Sequence, residues 1–370
     1  MNNRFTGTRI EYHILQSFPV TCLNRDDVGS PKDAIVGGVR RARISSQCWK
    51  RQVRLMLHEQ GLQIALRTKK IKELLLNGIE EPSEDMINAA ETISSIIASD
   101  TLVYISEGEV KALQEFMINN VSKLNGKEGE DDENSKDEKK SAKGKKESKD
   151  FSKTIFEVMK SARNKAFSSL DGLDIALFGR MLANATDLNV QAACSFAHAI
   201  TTHKVSPEID YFTAVDDLPS DDNAGAGHIG ANEFNSGTFY RYVSLDLGML
   251  YDCIGDVDDM NKAIEAFTKA LFLAVPAARQ NTFAGYCLWD YAHVFVRKGQ
   301  GVQISFDKPV RADKEGYLEP SIKQLEDNLD LIATRMGSLF GKKAEFVFGS
   351  DKYSIDNLCN DLKSTIETIQ

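Results

Sequence analysis

The apolar period of this chain switches once, early, and that switch limits what it can fold into. From Arg9 to Phe18 the period is two. Ile10, Tyr12, Ile14 and Phe18 fall on one face of a strand, and Arg9, Glu11, His13 and Ser17 fall on the other. His13 is expected to be an ordinary exposed strand residue. From Trp49 the period is helical, with Trp49, Val53, Met56 and Leu57 at i, i+4, i+7 and i+8. Ser45-Ser46-Gln47 supplies a serine cap for that helix, and Gly61 lies just past its end near Gln60. Gly37-Gly38 marks a turn between strand and helix. A strand feeding a loop and then a helix opens ferredoxin-like and RNA-recognition folds, so the expected class is α+β with such a sheet.

The segment between the two periods is basic. Cys22 to Arg54 holds Arg25, Lys32, Arg40, Arg41, Arg43, Lys50, Arg51 and Arg54 against Asp26, Asp27 and Asp33. That is +5 within a chain of net charge −9, which leaves −14 for the rest. A basic island on an acidic body suits a local polyanion site and disfavours indiscriminate nucleic-acid binding. Gln47, Lys50, Arg51 and Arg54 share one face of the helix, away from the apolar stripe. The helix start adds backbone N–H groups and a positive dipole end, which suit phosphate. The alternative is a solvated charged face.

Further along, residues 62–120 have helical spacing and form a helical subdomain without chemistry of its own. Residues 126–153 contain no large apolar residue before Phe151, and run from an acidic half into a lysine-rich one. Such a stretch is disordered or a loose helical flap, a solvated insertion unless its lysines find a polyanion. A long helical tract is expected from Phe156 to His203 with a break at Asp171-Gly172, and Met181 in it reads as core filler. Tyr211–Val215 and Phe239–Leu245 are strands flanking Asn223–Ala231, where six of nine residues are glycine or alanine, as in a flexible hairpin arm. Asp258–Val275 is an amphipathic helix directing Ile264, Phe267 and Leu271 inward, and Val302–Phe306 is an alternating strand. Lys308, Arg311 and Lys314 follow in a loop as further candidate polyanion contacts, and helices pack from Pro320 onward.

Several function classes lack their residues. There is no G-x-S-x-G, H-E-x-x-H or P-loop, and the glycine-rich arm does not complete G-x-G-x-x-G. Six cysteines are scattered without C-x-x-C spacing, and His198 and His203 are poorly spaced for a shared metal, so neither metal nor cofactor is expected. No apolar run reaches a membrane span and the first residues lack a signal-type core, so the expected compartment is a reducing cytoplasm.

Several runs carry a resemblance. Leu23-Asn24-Arg25-Asp26-Asp27, Lys32-Asp33-Ala34-Ile35, Gly37-Gly38, Arg40-Arg41, Arg43 to Gln47 and Lys50-Arg51 keep the spacing of the CasC family, the repeated backbone subunits of type I-E CRISPR Cascade complexes. Gly179-Arg180-Met181, Ala197 to His203 and Asp210 to Asp217 agree with it. The resemblance runs from the first strand to about Pro320, and is weakest in 62–165 and after 320.

That resemblance implies a palm of 1–61 and 240–320, helical fingers over 62–203 with the disordered insertion 126–153, a thumb hairpin over 204–239, and C-terminal helices over 321–370. It implies that the chain binds CRISPR RNA, presents it to target DNA, and assembles head to tail with copies of itself and with the other Cascade subunits. The expected RNA contacts are Arg25, Lys32, Arg40, Arg41, Arg43, Ser45, Ser46, Gln47, Lys50, Arg51 and Arg54. Met181 would wedge against the kinked guide, and Tyr211-Phe212 would be the thumb's base-contacting pair. Lys139, Lys140, Lys143, Lys145 and Lys146 are candidate DNA contacts. More distant type III relatives cleave RNA with an aspartate after the first strand, where Asp26, Asp27 and Asp33 stand here; the closer likeness is to a branch whose backbone subunit does not cut, so no enzyme activity is expected.

Overall fold

The computed structural model describes residues 3–98, 101–125, 137–182, 185–214, 228–350 and 352–369, without the side chains of 137–150, 168 and 228. In chain order the elements begin with β1 (Thr8–Thr21), β2 (Asp33–Val36), β3 (Val39–Ile44), α1 (Ser46–Glu59), β4 (Leu66–Thr68), α2 (Ile71–Leu76), α3 (Glu84–Ala98) and β5 (Val103–Ile105). They continue with α4 (Glu107–Asn119), α5 (Val121–Leu124), α6 (Asp137–Ser168), α7 (Leu173–Phe178), β6 (Cys194–Phe196), β7 (Ala199–Thr201), β8 (Glu208–Ala214) and β9 (His228–Asp246). Last come α8 (Leu247–Ile254), α9 (Val257–Leu273), α10 (Gln280–Phe283), β10 (Tyr291–Lys298), α11 (Leu318–Met336), β11 (Lys342–Phe348) and α12 (Ile355–Thr368).

The class is α+β. One unit, 2–56, 194–248 and 264–370, holds an antiparallel sheet of order β11-β10-β1-β9-β7-β3-β2, with β6 and β8 also paired to β9. The other, 57–193 and 249–263, is mainly helical. Thus 194–203, the arm and the C-terminal segment all fall with the sheet, and 249–263 falls with the helices.

β1 is central, and both of its faces are covered. Tyr12 packs edge-on to Phe267 of α9 and bonds Thr268, while Leu15 on the other face joins Tyr240, Tyr291, Phe306 and Leu325. His13 is therefore fully buried, contrary to the exposed position expected from alternation. Glu11 is buried on the same face, paired with Arg297 and accepting from the Tyr242 hydroxyl (2.6 Å) and the Val302 N–H (2.7 Å). A polar residue in an alternating strand marks a solvent face only if nothing covers it. Here a buried ion pair and its hydrogen bonds fill that face.

Four expectations need correction. Residues 194–201 are strands, not the end of a helix: Cys194–Phe196 pairs with β9, and Ala199–Thr201 bridges β9 and β3. Their small residues permit a helix, but the open edges of β3 and β9 provide hydrogen bonds that decide otherwise. Residues 302–306 form no strand: Phe306 takes φ 48°, and the segment is held by the Val302 N–H on Glu11 and the Ile304 N–H on the Tyr240 hydroxyl (3.2 Å). Helix α6 begins at Asp137, so 137–153 take the helical alternative and not the disordered insertion that the resemblance implies, while 126–136 lie outside the described residues. The C-terminal segment is not only helical, because β11 supplies one edge of the sheet through its pairing with β10.

The helical unit packs Ile71, Leu75, Ile93, Leu113, Met117, Ile155 and Met159 into one core. It also contains a two-stranded ribbon, β4 with β5. Ser106 and Glu109 form a reciprocal capping box at the start of α4.

Candidate nucleic-acid interface

The basic segment is a hairpin followed by a helix. β2 and β3 pair from Asp33↔Ala42 to Val36↔Val39, and Gly37 and Gly38 turn between them with φ of 59° and 75°. Positive φ at both central positions is the tight turn that suits the twist of paired strands. A Cβ at Gly37 would lie 1.7 Å from the Asp307 carbonyl oxygen, so this turn admits only glycine.

Helix α1 follows as expected. Trp49, Val53 and Leu57 are buried and Met56 is half-buried. The helix closes on Gly61 in a Schellman turn, with the Gly61 N–H on His58 O (2.9 Å) and the Leu62 N–H on Leu57 O (3.2 Å). Gln47 and Arg51 are exposed and Lys50 and Arg54 half-buried on the other face. Lys50 lies 5.8 Å from the Phe196 ring centroid. Of the other expected contacts, Arg25 and Arg40 are exposed and Lys32 and Arg43 half-buried.

Two predicted contributors work differently. The start of α1 is already occupied by side chains. Asn24 Oδ1 accepts the Ser45 N–H (2.9 Å), His198 Nδ1 accepts the Ser46 N–H (2.9 Å), and Ser45 Oγ accepts the Cys48 N–H (3.3 Å). Ser45 is the cap, as expected, but the backbone donors expected to meet phosphate are reduced to that of Gln47. Arg41 is fully buried and donates to Thr201 O (2.8 Å) and Phe306 O (3.0 Å). It clamps the hairpin to β7 and to the 302–307 segment, so it is removed from the outward-facing cations.

The Gly179-Arg180-Met181 run sends one side chain inward and the next one out. Gly179 takes φ 82°, and a Cβ there would meet Val190 O at 3.0 Å. Arg180 is buried against Glu109, one nitrogen reaching both carboxylate oxygens at 2.8 Å, with further donations to Leu188 O and Tyr104 O at 3.2 Å. With its neighbour anchored on the inside, Met181 is 84% exposed. It is not core filler.

The arm pairs Glu208↔Phe234 through Ala214↔His228. This differs from the expected pairing partner, since 239–245 belong to the central sheet beside β1. Tyr211 (74% exposed), Phe212, Ile209 and Ile229 all stand exposed on it. Residues 215–227, including Asp216 and Asp217, lie outside the described residues. So do the side chains of Lys139, Lys140, Lys143, Lys145 and Lys146, whose backbone is in α6.

The loop aspartates have structural work. Asp26 Oδ1 accepts from the Val28 and Ser30 N–H groups at 3.0 and 2.9 Å, and Asp33 pairs with Arg40 at 2.8 Å. A cleft of about 430 Å³ is lined by Lys32, Arg40 and Arg43 together with Asp26, Asp33 and Glu233. Among the described residues no group of three histidine, cysteine or acidic side chains could hold a metal, and no helix is long and apolar enough to cross a membrane.

Sequence reasoning missed His198 as the acceptor at the helix start and Arg241, whose guanidinium stacks 3.5 Å from the Trp49 ring centroid and holds α1 to the sheet. A family model described as CT1975-like protein matches residues 10–369. The chain belongs to the CT1975-like family. The match continues through the C-terminal segment, where the resemblance read from motifs was weakest. No curated protein matches this CT1975-like chain. Solved chains share its fold, two of which illustrate the likeness. One, from a CRISPR RNA-guided surveillance complex, pre-nicking, is 24% identical with a TM-score of 0.78 and covers 97% of this chain and 100% of its own. The other, from a CRISPR RNA-guided surveillance complex, is 22% identical with a TM-score of 0.59 and covers 96% and 98%.

Proposed function

We propose that this CT1975-like chain is the repeated backbone subunit of a type I-E CRISPR surveillance complex in the cytoplasm, polymerising along CRISPR RNA and holding it for pairing with target DNA. The observation that carries the proposal is the row of Gln47, Lys50, Arg51 and Arg54 on the outward face of α1, in a fold shared over nearly its whole length with chains of RNA-guided complexes.

A guide of any sequence must be held by its backbone, so the site needs phosphate contacts and stacking rather than a base-edge code. Arg25, Lys32, Arg40 and Arg43 extend the cationic surface beyond α1. Exposed Met181, Tyr211 and Phe212 supply apolar surfaces against which the strand kinks at intervals. Head-to-tail contact between copies is heterologous and does not close, which builds a filament along the guide. Segments between kinks stay ordered, which lowers the entropy cost of annealing. The remaining partners are the other subunits of such a complex and target DNA, for which Lys139, Lys140, Lys143, Lys145 and Lys146 are the proposed contacts.

The subunit is proposed to be non-catalytic. The support is the commitment of Asp26 to its own loop and of Asp33 to Arg40. Assembled complex incubated with complementary labelled RNA and magnesium should leave it intact. Expression with a CRISPR array should co-purify RNA of uniform length with the chain. Absence of RNA, or RNA of random length, would overturn the proposal.

A further inference from the structure

His198 stands one residue before β7, on the strand that pairs with β3 through Arg43↔Ile200 and Ile44↔Ala199. That register sets it opposite the start of α1 and on the same face as Arg43. Its Nδ1 lies 2.9 Å from the Ser46 backbone nitrogen. An amide N–H can only donate, so Nδ1 carries no proton and the single ring proton is on Nε2. Desolvation and the neighbouring Arg43 hold the ring's pKa below the ordinary histidine value, which keeps it neutral at pH 7. The residue is exposed, and among the described residues Nε2 has no hydrogen-bond partner.

We propose that His198 is a further RNA-contact residue, a neutral donor of fixed tautomer whose Nε2–H bonds a phosphate oxygen seated beside Arg43. This rests on the backbone-subunit function above. An arginine or lysine in this place would add attraction from any direction. An imidazole held by the main chain adds a donor with one direction and no charge. A phosphate held by Arg43 and His198 together is fixed in position relative to α1, which is what a regular repeat along the guide requires.

The test uses the full chain, a fluorescent single-stranded RNA of guide length, and affinity measured over a range of salt. His198→Asn retains an acceptor for the Ser46 N–H and removes the outward donor. It should melt with the wild type and bind RNA about tenfold more weakly. Because the lost group is neutral, its plot of log affinity against log salt should keep the wild-type slope. Arg43→Ala, run in parallel, should lower that slope by about one. His198→Gln keeps a donor near the Nε2 position and should bind more tightly than His198→Asn. If His198→Asn binds within about twofold of wild type, or lowers the salt slope as Arg43→Ala does, the inference is wrong while the backbone function stands. If the wild-type chain itself ignores the RNA, it is the backbone function that fails.

Discussion

Removing the Arg180 guanidinium should unfold the helical unit more readily than any surface change. The Arg180 and Glu109 side chains are both wholly inaccessible to solvent, and one Arg180 nitrogen reaches both Glu109 oxygens at 2.8 Å. Arg180→Ala leaves that carboxylate buried without its counter-charge, and strands the carbonyls of Leu188 and Tyr104. Breaking a buried pair from one side costs roughly 3–5 kcal/mol. At about 2–4 °C per kcal/mol for a unit of this size, the melting temperature should fall by roughly 10 °C. Removing both charges should behave differently. Arg180→Met with Glu109→Leu eliminates the uncompensated charge and should recover much of the loss, short of the roughly 1 kcal/mol held in the Ser106–Glu109 capping box. Thermal and urea denaturation followed by circular dichroism at pH 7 would read both. A loss below about 1 kcal/mol for the single variant, or a double variant no more stable than the single, would refute the reasoning.

Three other outcomes are expected. Arg41→Ala should destabilise the sheet unit by roughly 2–4 kcal/mol in urea melts, because two buried carbonyls lose their donor, while the folded fraction keeps the wild-type salt slope for RNA. His13 stays neutral in the fold down to about pH 3, because burial, then His293 and Arg297, disfavour its charged form. An unfolded histidine titrates near 6.5, so between these values the unfolded state binds the extra proton and stability falls as pH is lowered. His13→Asn should flatten that part of the stability profile between about pH 6.5 and 3, relative to wild type. Tyr211→Ala with Met181→Ala should leave the melting temperature unchanged within about 1 °C, since both side chains are largely exposed. The same pair should weaken guide RNA binding, read by fluorescence anisotropy.

The opening strand, the glycine turn, the serine-capped helix and its end at Gly61 were legible because each rests on local chemistry: alternation, positive φ, a cap, a left-handed stop. What was not legible depends on what lies across the sheet. Tyr291–Lys298 is buried at seven of its eight positions, so it shows no alternation to read. Arg40, Arg41 and Arg43 look equivalent in sequence. Only their places on the hairpin send Arg41 inward to two carbonyls and leave Arg40 outside with Asp33. Likewise Met181 could not be told from core filler until Arg180 was seen anchoring the other side of the backbone. The helix-start donors were misjudged for a related reason, since Asn24 and His198 reach them from 21 and 152 residues away.

The central claim is that the cations on the outward face of α1 grip the guide. Lys50→Glu with Arg54→Glu inverts two of them without touching Trp49, Val53 or Leu57 beneath. Pull-down of the complex with its RNA and partner subunits, after confirming a wild-type melting curve, is the direct measurement. The account predicts folded protein that recovers no RNA, and normal recovery of RNA with that double variant would contradict it.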